Sequence, residues 1–224
     1  MKLDYFITYS KRKTLSMSVE RDSSVVVRAP EGTPVEKIHK AVESRKLWLY
    51  QKINHKQKYP PCRQHKEFIS GETITYLGRN YRLEVVNKAG TGIQFHSRFI
   101  IPRENQPKAA RLFQQWYVER AKERISRRSK YFAESMGVTF NLVLVSNLKV
   151  RWGSCTPSSN LNFNWRILKA PTFVIDYIIV HELAHLIENN HTRRFWNIVS
   201  VQVPRWEQAK NWLREHGDLL EVDF

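Results

Sequence analysis

The sequence is poor in cysteine, methionine and glycine: its 224 residues include two Cys, three Met and eight Gly. Cys62 and Cys155 lie far apart, so no disulfide framework is spelled out. With little glycine and no fixed-period repeat, collagen-like and low-complexity classes are excluded. Long hydrophobic runs are missing too. The best apolar stretch, FVIDYIIV from Phe173 to Val180, is short and interrupted by Asp176, so no segment is expected to span a bilayer. The opening MKLDYFITYSKRKTLS has no apolar run followed by a cleavage signal, and a cytoplasmic location is the expectation. Acidic residues are scarce beside basic ones, 21 Asp and Glu against 37 Lys and Arg, for a net charge of +16.

Hydrophobic residues make up 42% of the chain and charged residues 26%, the composition of an ordinary globular protein. The basic excess favours polyanionic partners and raises a nonspecific DNA or RNA contact through a basic surface as one expectation.

Along the chain, SMSVE (from Ser16) and VVVRA (from Val25) read as a hairpin. Thr33, Pro34 and Glu36 have the spacing of a helix start, with Thr33 as cap. Val35, Ile38, Val42 and Ile53 then predict one helix of about five turns over 34–53. Residues 54–70 read as a polar, basic loop. TITYLG and YRLEVV predict a second hairpin turning around Gly78 to Asn80, and GTGIQFHSRFIIP further strand. Residues 1–103 are thus expected to form a mainly β lobe carrying one helix.

From Pro107 to Met136 a long basic helix is predicted, ended by Gly137. TFNLVLVS, LKVRW and LNFNW read as strands, with GSCTPSS as a turn. In LNFNW, alternation sets Leu161, Phe163 and Trp165 against Asn162 and Asn164. Pro171 opens a helix through His185, Thr192 caps the next one, and Pro204 starts a last helix that Gly217 stops. Residues 104–224 make the second domain in this reading, and the fold class is α+β.

The chemistry concentrates in HELAHLIENNH, from His181 to His191. His181 and His185 are one helical turn apart, so both imidazoles can reach one ion. Glu182 points elsewhere on the helix, close enough to serve as general base to water on that ion without binding it. Two ligands hold zinc poorly. His191 supplies a third if the helix ends after His185, a reversal for which Asn189 and Asn190 offer tolerance of left-handed backbone. Three histidines leave a fourth position open, as catalytic zinc sites do, and the expectation is one Zn2+ per chain. The spacing equals that of the metzincins, but Glu188 stands at their glycine position and no methionine follows His191.

VRWGSC (Val150 to Cys155), NLNFNW (Asn160 to Trp165), the stretch from Ala170 to Trp196, YLGRNYRL and PRWEQAKNWLREHG together resemble the YgjP-like zinc metallopeptidases, relatives of the M48 and SprT-like peptidases. The resemblance implies a zincin-like fold, with the HExxH helix packed on a small sheet. It implies His181, His185 and His191 as metal ligands and Glu182 as the catalytic glutamate. The activity it implies is hydrolysis of protein or peptide substrates, with nucleic-acid-associated proteins as one class of target by analogy with SprT-like relatives. Beside it stand two other classes: a metal-dependent hydrolase of nucleotides or phosphoesters, and a basic nucleic-acid-binding protein with a structural zinc site. Around the motif, LNFNW is a candidate cleft strand for pairing with extended peptide. Arg151 and Trp152 are expected to support the metal helix, and Cys155 to be a small buried residue or a fourth ligand. Tyr177, Asn164 and His216 are candidate stabilisers of an oxyanion.

Overall fold

A computed structural model describes residues 4–19, 24–53, 66–87, 90, 92–148, 151–221 and 224. Most of the loop expected over 54–70, with Cys62, lies outside the described residues. The chain divides into two compact units, Met1–Cys62 and Arg63–Phe224.

In the first unit, β1 (Tyr5–Ser10) runs parallel to β3 (Val25–Pro30), and β2 (Ser16–Val19) pairs antiparallel with β3, the expected hairpin. Val25, Val27 and Ala29 alternate inward and meet Ile38, Val42 and Leu49 from the helical segment. That segment is two helices, α1 (Val35–Ser44) and α2 (Lys46–Ile53), where one was expected. The break falls after Ser44, whose hydroxyl donates back to the Ala41 carbonyl at 2.8 Å and competes with the helical ladder. Thr33 does not cap α1: its hydroxyl donates to the Pro30 carbonyl, and Pro34 holds the cap position.

Among the described residues the second unit has two sheets. β4 (Thr73–Tyr76), β5 (Arg79–Val86), β6 (Gln94–Phe95) and β7 (Phe99–Pro102) lie in the order β4-β5-β7-β6. β8 (Val143–Ser146), β9 (Gly153–Cys155) and β10 (Leu161–Asn164) lie in the order β8-β10-β9, with β10 parallel to β8 and antiparallel to β9. Among the described residues, four α-helices accompany them: α3 (Ala109–Met136), α4 (Thr172–Ala184), α5 (Arg193–Gln202) and α6 (Trp206–Glu221).

One core joins Ile74, Leu83, Phe99 and Ile101 of the first sheet to Phe113, Tyr117 and Ile125 of α3 and to Phe163, Val180 and Phe195. Because β4 to β7 bury their apolar face on α3, the chain divides at 62–63 and not at the expected 103–104. α3 runs to its Gly137 stop, a left-handed cap at φ 65°. It carries its bases outward, with one tie inward: Arg128 grips Asp176 of α4 with two bonds of 2.8 and 2.7 Å. α6 runs through Gly217 to Glu221 and is not stopped there. Strand falls on GSC, where a turn was expected. Arg151 and Trp152 are outside it, and Lys149 and Val150 lie outside the described residues. No helix among the described residues is long and apolar enough to cross a membrane.

The β4–β5 hairpin also sets where α4 begins. Its two turn residues, Leu77 and Gly78, have φ of 51° and 76°, the geometry of a type I′ turn. Their amides donate to the carbonyls of Leu168 and Lys169 at 2.8 and 2.9 Å, just before Pro171 opens α4. A Cβ on Gly78 would stand 2.8 Å from Pro171 Cα and 2.9 Å from Pro171 N, backbone that cannot swing aside. Gly78→Ala is therefore expected to destabilise the protein by about 2 to 4 kcal/mol, from left-handed strain plus overpacking. Urea unfolding with an unchanged m-value is the check.

Candidate metal centre

α4 is apolar on every side: Val174, Ile175, Ile178, Ile179, Val180, Leu183 and Ala184 are all buried. A helix so enclosed is a core element, and it fixes whatever polar groups it carries. Pro171 caps its start, its carbonyl accepting from the amides of Val174 and Ile175. His185 caps its end, and the amides of Ile187 and Glu188 then fold back onto the Ala184 carbonyl.

The reversal towards His191 does not use left-handed asparagine: neither Asn189 nor Asn190 has positive φ. The Glu188 carboxylate instead accepts from the Asn190 amide at 3.2 Å, and the Thr192 amide donates to the Asn190 carbonyl at 2.7 Å. Thr192 caps α5 as expected, accepting from the Phe195 amide at 3.3 Å.

These turns bring the three histidines together. One ligand atom from each of His181, His185 and His191 lies within 4.8 Å of the others, a group that could hold a metal ion. His191 Nε2 stands 3.0 Å from His181 Nε2. Two nitrogens at tetrahedral zinc distances are about 3.3 Å apart, so the spacing suits that ion. His185 Nδ1 faces the Glu188 carbonyl at 3.2 Å, which selects the tautomer donating from Nδ1 and leaves Nε2 for a metal.

Phe195 is fully buried and packs against all three imidazoles, with ring centroids 4.7 to 4.9 Å away. Trp196 stacks on His191, Trp206 stacks on Trp196, and the Lys210 ammonium lies 4.7 Å over the Trp196 ring. Burial first, then the neighbouring His185, His191 and Lys210, pushes His181 down to about 3. Burial, with His185 and Lys210, lowers His191 as well. Neutral imidazoles are what a divalent ion requires. His191 is exposed while His181 and His185 are partly buried, so the cluster opens to solvent on the His191 side.

Glu182 is 7% exposed and lies against β9. The Cys155 amide donates to its carboxylate, and the Arg151 charge favours its ionised form. Burial outweighs both and raises the carboxyl to about 7. Burial and the Glu182 charge also push the Tyr177 hydroxyl up to about 12.

The asparagines of LNFNW are pins. Asn164 is fully buried: its amide donates to the Leu148 carbonyl at 2.8 Å, and its oxygen accepts from the Arg166 amide at 3.0 Å. Asn162 accepts from the Ser146 hydroxyl at 3.0 Å. Nor can LNFN be a cleft edge, because β10 is the middle strand of its sheet. β8 and β9 are its edge strands, and β9 is the one against Glu182. His216 faces the Trp212 carbonyl at 3.3 Å within α6. Cys155 does not belong to the histidine group. Sequence reasoning missed the contact of β9 with Glu182. Its signal was the glycine of RWGSC, since glycine in a strand often marks a close approach.

A family model, the YgjP-like metallopeptidase domain, matches residues 13–216. The chain belongs to the YgjP-like family. Two solved structures are similar in part to this YgjP-like chain. The metallopeptidase zymogen abylysin of Pyrococcus abyssi is 20% identical, with a TM-score of 0.39, over 45% of this chain and 99% of that one. The metallopeptidase zymogen jannalysin of Methanocaldococcus jannaschii is 18% identical, with a TM-score of 0.34, over 39% and 93%. No curated protein matches the chain.

Proposed function

We propose that this YgjP-like protein is a zinc-dependent metallopeptidase, with His181, His185 and His191 as the metal ligands and Glu182 as the general base. The observation that carries the reading is the convergence of three histidines beside a buried glutamate, in a chain of a metallopeptidase family. Zinc held by the three imidazoles supplies Lewis acidity, acidifying water and polarising a carbonyl. Glu182 takes the proton from the water as its oxygen bonds to the peptide carbon. It returns a proton to the amine as the C–N bond breaks. Burial, which raises the carboxyl, helps it hold the proton between the two transfers.

Substrate binding is assigned to β9. The Asn164 amide donates to the Trp152 carbonyl and the Thr156 amide to the Asn160 carbonyl, so the even-numbered residues of this stretch face β10. The backbone groups of Gly153 and the Cys155 carbonyl therefore turn to the free edge, while the Cys155 amide is taken by Glu182. An extended peptide pairing there would lie beside Glu182. The charge of +16 supports substrates that are acidic or sit on nucleic acid.

The test is cleavage of fluorescein-labelled casein and of a fluorogenic peptide mixture by protein carrying one zinc per chain, with and without duplex DNA. Cleavage that stops on chelation and returns with zinc supports the peptidase. Acceleration by DNA, lost at high salt, supports the nucleic-acid-associated substrate. No cleavage of either substrate by zinc-loaded protein sinks the proposal.

A further inference from the structure

A buried glutamate with free side-chain torsions would sample several positions, few of them useful to a base. Glu182 is not free. An added Cβ on Gly153 would lie 2.7 Å from Glu182 Oε1, 2.8 Å from its Cγ and 3.0 Å from its Cδ. Ordinary carbon contacts are about 3.5 to 4.0 Å, so the glutamate side chain occupies the space that any other residue at 153 would fill. Two residues on, the Cys155 amide donates to the same carboxylate. That amide is available because the register of β9 turns it away from β10.

The strand that presents both features is itself fixed. Gly153 pairs with Phe163 and Cys155 with Leu161, both fully buried. The bonds from Asn164 to Trp152 and from Thr156 to Asn160, each 2.9 Å, bracket the three residues of β9. β9 cannot retreat from Glu182 without opening the core.

We propose that Gly153 and the Cys155 amide are a positioning clamp that confines the Glu182 carboxylate to one rotamer, so that β9 sets the reach of the base. This rests on the reading of Glu182 as the base. Gly153 shows no left-handed φ, so alanine meets no backbone strain there. The atoms it would strike belong to a side chain that can rotate away. Gly153→Ala should therefore fold, bind zinc and misplace the base.

The experiment compares full-length, zinc-loaded wild type with Gly153→Ala. Zinc per chain should match, with at most a small loss in melting temperature. On a fluorogenic peptide mixture, kcat should fall about 100-fold, as a displacement of about 1 Å can cause, while KM holds. In the amide NMR spectrum the Cys155 resonance should shift in the direction it takes in Glu182→Ala. A folded, zinc-loaded Gly153→Ala protein with wild-type kcat and an unmoved Cys155 resonance overturns the clamp. A raised KM at unchanged kcat overturns it too, by assigning Gly153 to substrate fit. If Gly153→Ala fails to fold, Glu182→Ala carries the test through hydrogen exchange. Cys155 must lose protection while Thr156, bonded to Asn160, keeps it, and equal protection in both proteins overturns the proposal. If zinc-loaded wild type cleaves nothing, the peptidase reading falls, and the Cys155 amide still decides the clamp.

Discussion

His185→Ala is expected to abolish both zinc retention and peptide cleavage while leaving a folded protein. His185 ends α4, with its Nδ1 tied to the Glu188 carbonyl, so its Nε2 direction is fixed before any metal arrives. Removing it leaves two imidazoles, and two do not hold zinc against dialysis. Loss of an outer partner of a ligand already costs about 10- to 100-fold in affinity, and loss of a ligand costs more. A ligand present at about 1,000 times its Kd stabilises the folded state by about 4 kcal/mol. The wild-type melting temperature should therefore climb on adding zinc, and that of His185→Ala should not. Alanine suits a helix end, so the two proteins should melt alike in chelator. A variant that still carries one zinc per chain would remove His185 from the ligand set.

Much of the site is legible in the sequence because its geometry is local. His181 and His185 share a helix face by spacing alone, and Pro171 and Thr192 mark the helix boundaries around them. His191 is reached through a short turn, and there the residue types point to the right outcome by the wrong device. The Asn190 amide is held by the Glu188 side chain, which spares the backbone a left-handed residue. What sequence pattern does not carry is non-local. A boundary at 103–104 fails because β4 to β7 bury their apolar face on α3, and alternation within a strand does not say what its inward face meets. LNFNW has the clear alternation of a strand, yet it forms the middle of its sheet and no cleft edge, because alternation says nothing about sheet order. The shorter GSC, with the composition of a turn, holds an edge and abuts Glu182.

Glu182→Gln should separate the two roles of the motif. The side chain keeps its shape, its oxygen can still accept from the Cys155 amide, and the histidines are untouched, so zinc content should stay at one per chain. Turnover should fall by about 10²- to 10⁴-fold, the contribution of a positioned general base. A protein whose zinc is only structural would lose nothing, and an unchanged rate would remove Glu182 from the chemistry. Stability should move the other way. The carboxyl is raised to about 7 from an ordinary 4.5, so the folded protein holds this proton more tightly than the unfolded chain. Its contribution to stability is full below pH 4.5 and is lost as pH rises to 7. At pH 8 the wild type holds an ionised carboxylate in a buried place, a cost that a neutral glutamine side chain does not carry. Metal-free Glu182→Gln should then melt above metal-free wild type at pH 8, with the gap closing as pH falls towards 4.5. Bound zinc favours the carboxylate and should narrow the same gap. A variant less stable than wild type at pH 8 in chelator would show that the Arg151 charge and the Cys155 amide outweigh burial. A variant slower in turnover yet harder to melt would mark Glu182 as a residue kept for its reactivity at a cost in stability.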